Sequence, residues 1–361
     1  MGCAKRKRPA IPSRFSRSSF GSLRHSTCKQ RWGKTSLGRM PQPPFRGPDS
    51  MLMPSRTPDQ ARTPSATSAT TVSNVFSVDV EDYFQVAAFE KHVCRDSWGQ
   101  WESRVVANTG KLLAILDRHG VRATFFVLGW VGDRFPGLVR DIRAGGHEIG
   151  SHGYWHRLVF SQQPEEFRED LRRSRDVLEA AAERPVTCYR APKFSIDRRA
   201  PWALDILAEE GFLVDASIRP RDYLGFPIRD INPKICRLAT SGGPIWEFPV
   251  SLARLAGLMF PIGGGYFRLC PWSWMAASLS QIERRGEPFM FYIHPWEVDP
   301  GQPRISAASQ LTRFRHYVNL AATERKLERL LSQFRFAPLC DAIRNVASQS
   351  AGPGRKQYFN G

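Results

Sequence analysis

Seven short β-rich runs alternate with amphipathic helical patterns between residues 75 and 294. Strands that alternate with helices are typical of α/β domains with parallel sheets. Seven such units fit a distorted (β/α)7-type barrel better than an open sheet, and a doubly wound sheet stays open as the alternative. The predicted strands cover residues 75–80, 123–128, 147–151, 187–190, 212–215, 245–250 and 289–294.

Helix signals lie between these runs. Thr109 is predicted to cap a helix that ends at Gly120, because a hydroxyl can accept from free backbone N–H groups and glycine readily ends a helix. Pro164, followed by two glutamates, predicts the start of a second helix. A third is predicted over residues 198–210.

The formal net charge of +18 is concentrated at the amino end of the chain. Residues 1–73 hold fourteen Lys or Arg and two acidic residues, which accounts for +12 of that charge. This Ser-, Pro- and Arg-rich stretch lacks apolar periodicity, so it is predicted to be a disordered basic tail. Nucleic-acid binding by the tail is the alternative; it predicts that residues 1–73 suffice for binding and that affinity falls steeply with salt. A solvated charge run is favoured, so no nucleic-acid partner is expected.

The remaining chain divides by pattern into three parts. Residues 74–300 are predicted to form the barrel, residues 301–345 a basic helical extension, and residues 346–361 a glycine-rich flexible tail. No stretch has the apolar length of a transmembrane helix, and no apolar core of a secretory signal follows the basic start. The seven cysteines form no CxxC pair, which favours a reducing compartment. A cytoplasmic location is therefore expected, with peripheral attachment to the inner membrane left open.

A pair of histidines offers metal-binding chemistry. His152 and His156 are four residues apart, a spacing that can direct both rings to one side of a helical turn. An acidic cluster, residues 79–82, follows another predicted strand about seventy residues upstream. Two histidines and one carboxylate leave coordination positions open, as in catalytic metal sites. Ordinary polar loop residues are the alternative for the pair alone.

Candidate catalytic residues lie at or just beyond the carboxyl ends of different predicted strands. Barrel enzymes gather their chemistry at that face, so these side chains are expected to lie together. The residues are Asp79, His152, Arg190, Asp215 and His294.

Five motifs along residues 75–340 give the chain a family resemblance. It resembles the NodB-like polysaccharide deacetylases, carbohydrate esterase family four, and within them the subgroup associated with bacterial exopolysaccharide loci. The motifs are Asp79-Val80-Glu81-Asp82, Ser151-His152-Gly153-Tyr154-Trp155-His156, Arg190-Ala191-Pro192, Val214-Asp215-Ala216-Ser217 and Tyr292-Ile293-His294-Pro295-Trp296-Glu297.

The resemblance implies a metal site and a general base. His152 and His156 would bind the metal together with Glu81 or Asp82. Asp79 would act as the base, although the family usually carries two adjacent aspartates where this chain reads Asp-Val-Glu-Asp. Glu81 is favoured as the metal ligand, because residues i and i+2 of an extended segment share a face. The implied metal is divalent, with zinc favoured and cobalt, nickel or iron also compatible with the ligand set.

The resemblance also implies the roles of three further residues. Arg190 would hold Asp79, and Asp215 would orient and charge His294. His294 would then protonate the departing nitrogen, since an amide anion is too basic to leave unaided.

The expected activity is removal of N-acetyl groups from N-acetylhexosamine units of an exopolysaccharide or its lipid-linked precursor. Exopolysaccharide assembly proteins are candidate partners of the helical extension. Two alternatives stay open: hydrolysis of a small cyclic amide, as in allantoinase-like relatives, and a non-catalytic carbohydrate-binding protein of the same fold.

Overall fold

A computed structural model describes residues 73–220, 235–255 and 258–350. The predicted basic tail, apart from residue 73, lies outside the described residues, as do residues 351–361 of the predicted flexible tail. Within the described part, no helix is long and apolar enough to cross a membrane.

The strands form one large sheet and a separate hairpin. In chain order, the described strands are β1 (Asn74–Val80), β2 (Thr124–Val127), β3 (Glu148–Ser151), β4 (Cys188–Tyr189), β5 (Val214–Asp215), β6 (Cys236–Thr240), β7 (Gly243–Glu247), β8 (Leu252–Leu255), β9 (Leu258–Pro261), β10 (Met290–Ile293) and β11 (Phe336–Ala337).

The large sheet has the predicted parallel core. Its path runs β10-β1-β2-β3-β4-β5-β7, all parallel, and β6 pairs antiparallel with β7 at one end. These seven parallel strands correspond to the seven predicted runs. Every residue of β1 and β2 is buried, as expected for strands covered on both faces. The fold is mixed α/β with a curled half-barrel sheet of the (β/α)7 type.

Helices cover the sheet and connect its strands. They are α1 (Val105–Arg118), α2 (Gly129–Arg134), α3 (Pro136–Ala144), α4 (Pro164–Ala182), α5 (Trp202–Glu209), α6 (Gly264–Leu269), α7 (Trp272–Arg284), α8 (Gln310–Tyr317), α9 (Leu320–Gln333) and α10 (Leu339–Ser350).

The predicted start of the first helix is wrong. Thr109 lies buried inside α1, which begins four residues earlier at Val105. The free N–H groups of Arg104 and Val105 instead donate to Oδ2 of Asp82, at 2.9 and 3.2 Å. An acceptor from a distant segment therefore caps this helix, which a local pattern cannot reveal.

The helical extension returns to the barrel. After α8 and α9, the short strand β11 pairs with the start of β1 through Asn74↔Phe336. Leu339, the first residue of α10, is buried and donates its N–H to the hydroxyl of Thr124. The last helix continues to Ser350, five residues beyond the predicted end of the extension.

Candidate metal centre and proton-transfer site

Three side chains from two segments converge at the carboxyl ends of β1 and β3. Glu81 follows β1, and His152 and His156 lie in the loop after β3. One ligand atom from each lies within 4.8 Å of the others, and all three residues are buried. Two imidazoles and a carboxylate are a donor set that divalent transition metals accept.

Local backbone geometry directs the two histidines to the same point. The pair does not lie on a helical turn, in contrast to the prediction. Gly153 (φ 72°) and His156 (φ 52°) both adopt left-handed conformations, so the loop folds back on itself. Asp170 of α4 holds this loop by accepting the backbone N–H groups of Tyr154 and Trp155, at 2.7 and 3.1 Å.

His152 is oriented by the backbone of the neighbouring strand. Its Nδ1 lies 2.8 Å from the carbonyl oxygen of Arg190, so an Nδ1–H donates there and leaves Nε2 free as a ligand. Burial lowers the pKa of His152 to about 4, against the opposing charge of Asp79. The ring is therefore neutral near pH 7, the form that binds metals.

Glu81 is the carboxylate that faces the histidines. Burial alone would raise its pKa, but the charge of the nearby His156, together with the charges of His294 and His152, lowers the pKa to about 2. Its Oε2 lies 2.7 Å from Nε2 of His156, yet receives no well-aligned hydrogen bond. A buried carboxylate oxygen in this position fits a site that is completed by a cation.

Asp82 has a different environment. Its Oδ2 accepts from the hydroxyl of Ser103 at 2.7 Å and from the two N–H groups at the start of α1. Its Oδ1 accepts the N–H of Tyr83 at 3.0 Å. Both oxygens are thus engaged in structural bonds, and the cluster of possible metal ligands contains Glu81 instead. Of the two predicted carboxylates, the geometry favours Glu81.

Asp79 lies beside this cluster and is held by Arg190. Nη1 of Arg190 donates to Oδ1 of Asp79 at 2.7 Å and to the hydroxyl of Ser77 at 2.8 Å. Both members of the ion pair are buried. The guanidinium also lies over the ring of Phe126, 4.2 Å from its centroid. Arg190 therefore fixes one carboxylate oxygen of Asp79 and leaves Oδ2 directed elsewhere.

His294 follows β10 and lies close to both Asp79 and Glu81. Its Nε2 is 4.0 Å from Oδ2 of Asp79 and 3.5 Å from Oε1 of Glu81. Burial lowers the pKa of His294, but the hydrogen bond with Glu297 and the charges of Glu81, Glu297 and Asp79 outweigh it and raise the pKa to about 9. The ring can thus carry a proton close to the candidate metal ligands.

The predicted pairing of Asp215 with His294 is wrong. Oδ1 of Asp215 accepts from the hydroxyl of Ser217 at 2.5 Å, and its carboxyl group pairs with that of Glu247 on the adjacent strand. The acid in contact with His294 is Glu297, whose Oε1 lies 2.8 Å from Nδ1. Glu297 follows His294 by three residues within a short turn, which brings its carboxylate to the ring.

Glu297 and Arg268 are the site residues that the sequence did not assign. Nε of Arg268 donates to Oε2 of Glu297 at 2.6 Å, and both side chains are buried. The sequence signal for Glu297 was its position three residues after a histidine with Pro295 between them. Arg268 gave no signal, because the Gly263–Arg268 stretch reads as a flexible turn, whereas Gly264–Leu269 forms α6.

Family models match two consecutive parts of the chain. Residues 97–212 match the polysaccharide deacetylase family, and residues 216–344 match a domain of unknown function, DUF3473. The curled sheet places the His-His-carboxylate cluster at the carboxyl ends of its strands, where barrel enzymes gather their chemistry. The chain therefore contains a NodB-like polysaccharide deacetylase domain.

Curated relatives are similar to part of this chain. A peptidoglycan-N-acetylglucosamine deacetylase of Bacillus cereus is 32% identical over 151 residues, 41% of this chain and 54% of the relative. A chitooligosaccharide deacetylase of Rhizobium leguminosarum bv. trifolii is 30% identical over 112 residues, 31% of this chain and 48% of the relative. The chain therefore spans about half the length of these relatives.

Solved structures share the fold at low sequence identity. A polysaccharide deacetylase from Mycobacterium smegmatis, described as putative, superposes with a TM-score of 0.54 at 22% identity, over 80% of this chain and 95% of its own. Puue allantoinase superposes with a TM-score of 0.50 at 17% identity, over 78% of this chain and 92% of its own. Both similarities concern the fold alone.

Proposed function

We propose that the protein is a metal-dependent deacetylase that removes N-acetyl groups from N-acetylhexosamine units of a polysaccharide. The observation that carries this proposal is the convergence of Glu81, His152 and His156 within 4.8 Å, flanked by Asp79 and His294. Metal ligands with a carboxylate base and a histidine acid beside them suit hydrolysis of an amide.

The three converging side chains would hold one divalent cation, with zinc favoured. When bound, the cation supplies positive charge that polarises the acetyl carbonyl and acidifies the attacking water. A neutral His152 and an ionised Glu81 are the protonation states that such binding requires.

Asp79 would take the proton from the attacking water through Oδ2. Its other oxygen accepts from Arg190 at 2.7 Å, which restrains the orientation of the carboxylate. His294 would deliver a proton from Nε2 to the departing nitrogen. Nε2 of His294 and Oδ2 of Asp79 lie 4.0 Å apart in the described structure, so both atoms are close enough to act on the same substrate amide.

The names of the curated relatives, deacetylases of peptidoglycan-N-acetylglucosamine and of chitooligosaccharides, support the proposed substrate class. The narrower proposal, that the substrate is an exopolysaccharide or its lipid-linked precursor and that assembly proteins are partners, rests on the resemblance of the sequence motifs to the exopolysaccharide-locus subgroup. Both substrate sources present the same N-acetylhexosamine chemistry to the site.

The test is acetate release by the full-length protein from N-acetylglucosamine oligomers, before and after chelation and after addition of zinc. We expect acetate release that chelation abolishes and zinc restores. Release of ammonia, or opening of allantoin, in place of acetate would assign the protein to cyclic-amide chemistry. Binding of the oligomers without turnover in a metal-replete protein would favour the non-catalytic alternative.

A further inference from the structure

We propose that Glu297, held by Arg268, positions His294 for proton donation, so that residues 216–344 supply the proton-donor half of the site. This inference rests on the proposed deacetylase function and adds a positioning pair that the sequence motifs do not assign. It also gives a role to the part of the chain that matches a domain of unknown function.

The contact between Glu297 and His294 fixes the orientation of the ring. Oε1 of Glu297 accepts the backbone N–H of His294 at 3.1 Å and its Nδ1–H at 2.8 Å. With Nδ1 engaged, Nε2 is the nitrogen that faces Glu81 and Asp79. The carboxylate thus selects which ring nitrogen meets the substrate.

Arg268 holds the second oxygen of Glu297 and is itself anchored. Its Nη1 donates to the carbonyls of His316 and Val318 at 2.7 and 2.8 Å, and its Nη2 to the carbonyl of Arg315 at 3.2 Å. These carbonyls lie at the carboxyl end of α8, where a cation is favourable. A buried ion pair is stable only when additional hydrogen bonds offset its loss of hydration, and the contacts of Arg268 with backbone carbonyls supply such bonds.

Aromatic packing restrains the same ring. Trp296 stacks on His294, with centroids 5.2 Å apart, and on His316 on its other face, at 4.1 Å. Oε1 of Gln302 lies 2.9 Å from Nε2 of His316. Hydrogen bonding and stacking therefore both limit rotation of His294, and each of these partners belongs to residues 216–344.

The chemistry of the site divides at residue 216, with Asp79 and Glu81 lying before the first matched region. The proposed base, its arginine and the three proposed metal ligands all precede residue 216. The proposed acid, Glu297 and Arg268 all follow it. Residues 315–318 of the helical extension reach the site through Arg268, so the extension contributes to the positioning of His294.

The decisive experiment compares an amide with an activated ester. An amine needs protonation to depart, whereas the phenolate of 4-nitrophenyl acetate does not. We expect Glu297→Gln to lower kcat for acetate release from N-acetylglucosamine oligomers by about 10²-fold with little change in KM. The same variant should retain turnover of 4-nitrophenyl acetate within about threefold of wild type.

Asp215→Asn is the matched control, because it also removes one buried carboxyl charge near the sheet but has no contact with His294 among the described residues. This variant should leave unchanged the ratio of turnover on N-acetylglucosamine oligomers to turnover on 4-nitrophenyl acetate. The double variant Glu297→Gln/Arg268→Met removes both charges of the ion pair and guards against misfolding of the single variant. It should show the same amide-selective loss.

Two results would overturn the inference in folded, metal-replete proteins. One is an equal loss of amide and ester turnover in Glu297→Gln. The other is a change of the amide-to-ester ratio in Asp215→Asn as large as that in Glu297→Gln.

An independent measurement separates this inference from the proposed function. In ¹⁵N-histidine-labelled protein, the Nδ1–H of His294 should resonate far downfield, because it donates to an ionised carboxylate. The signal should move upfield in Glu297→Gln and stay in place in Asp215→Asn. If the wild type releases no acetate, the proposed function fails while this measurement still decides the positioning role. A signal insensitive to Glu297→Gln rules that role out.

Discussion

Oε2 of Glu81 lies 2.7 Å from Nε2 of His156, both buried at the carboxyl end of the parallel sheet. Glu81→Gln replaces one ionised oxygen by an amide group and should remove stoichiometric metal binding, because a neutral amide is a poor ligand for a transition metal. Metal content per chain, measured by elemental analysis after dialysis, checks this. Unchanged metal content would remove Glu81 from the proposed ligand set.

Asp82→Asn should affect stability instead of metal content. The two oxygens of Asp82 accept N–H groups from Tyr83, Arg104 and Val105, and an amide nitrogen at either position faces a donor. We expect a loss of about 1 to 2 kcal/mol in the free energy of unfolding. Chemical denaturation of Asp82→Asn beside the wild type measures this loss. If Asp82→Asn loses its metal while Glu81→Gln keeps it, Asp82 is the metal ligand and Glu81 is not.

Asp79→Asn should abolish deacetylation while leaving metal bound. The amide cannot accept the proton of the attacking water, so we expect kcat to fall by about 10³-fold. The substitution also leaves Arg190 without its ionised partner, so the melting temperature should fall as well. Acetate release, metal content and thermal unfolding of the same preparation distinguish these effects. Activity near the wild-type level would exclude Asp79 as the base.

The buried Asp215–Glu247 pair should give the protein a distinctive pH dependence of stability. Burial raises the pKa of Asp215 to about 6, and burial with the adjacent Asp215 raises that of Glu247 well above its ordinary value. A carboxyl group with a raised folded-state pKa loses its contribution to stability as the pH rises through that value. Glu247→Gln keeps an acceptor for the N–H of Ile218 and offers an amide donor to Asp215.

The variant should therefore gain stability over wild type as the pH rises from 5 to 8, by about 1 kcal/mol per pH unit at most. Urea unfolding at both pH values measures the difference. If the free energy of unfolding of Glu247→Gln differs from that of wild type by the same amount at pH 5 and pH 8, the pair does not share a proton.

Much of the fold could be predicted because hydrophobic periodicity is local information. The seven parallel strands each coincide with a predicted run, and Pro164 starts α4 as expected. Asp215 shows the limit of that reasoning. The prediction that Asp215 lies at the end of a strand was correct. The strand order, however, separates it from His294 by several strands and places it beside Glu247. Side-chain pairing across a sheet depends on strand order, which the motif spacing does not contain.

His147 supplies the last pH test, on the side of the fold away from the proposed chemistry. Its Nδ1 accepts the N–H of Ala123 at 3.1 Å, and its ring packs on Phe125. Burial, helped by the charge of Arg122, lowers the pKa of His147 to about 4 from an ordinary value of 6.5. Between those values the unfolded chain binds a proton that the folded protein does not, so stability falls as the pH drops from 6.5 to 4.

His147→Asn keeps an acceptor for the same N–H but does not titrate. The variant should therefore lose less stability than wild type over that interval, by about 1 kcal/mol per pH unit at most. Urea unfolding at pH 7 and pH 5 measures this, and the same substitution at the exposed His92 is the control. If both variants follow the wild-type pH dependence, protonation of His147 does not contribute to acid unfolding.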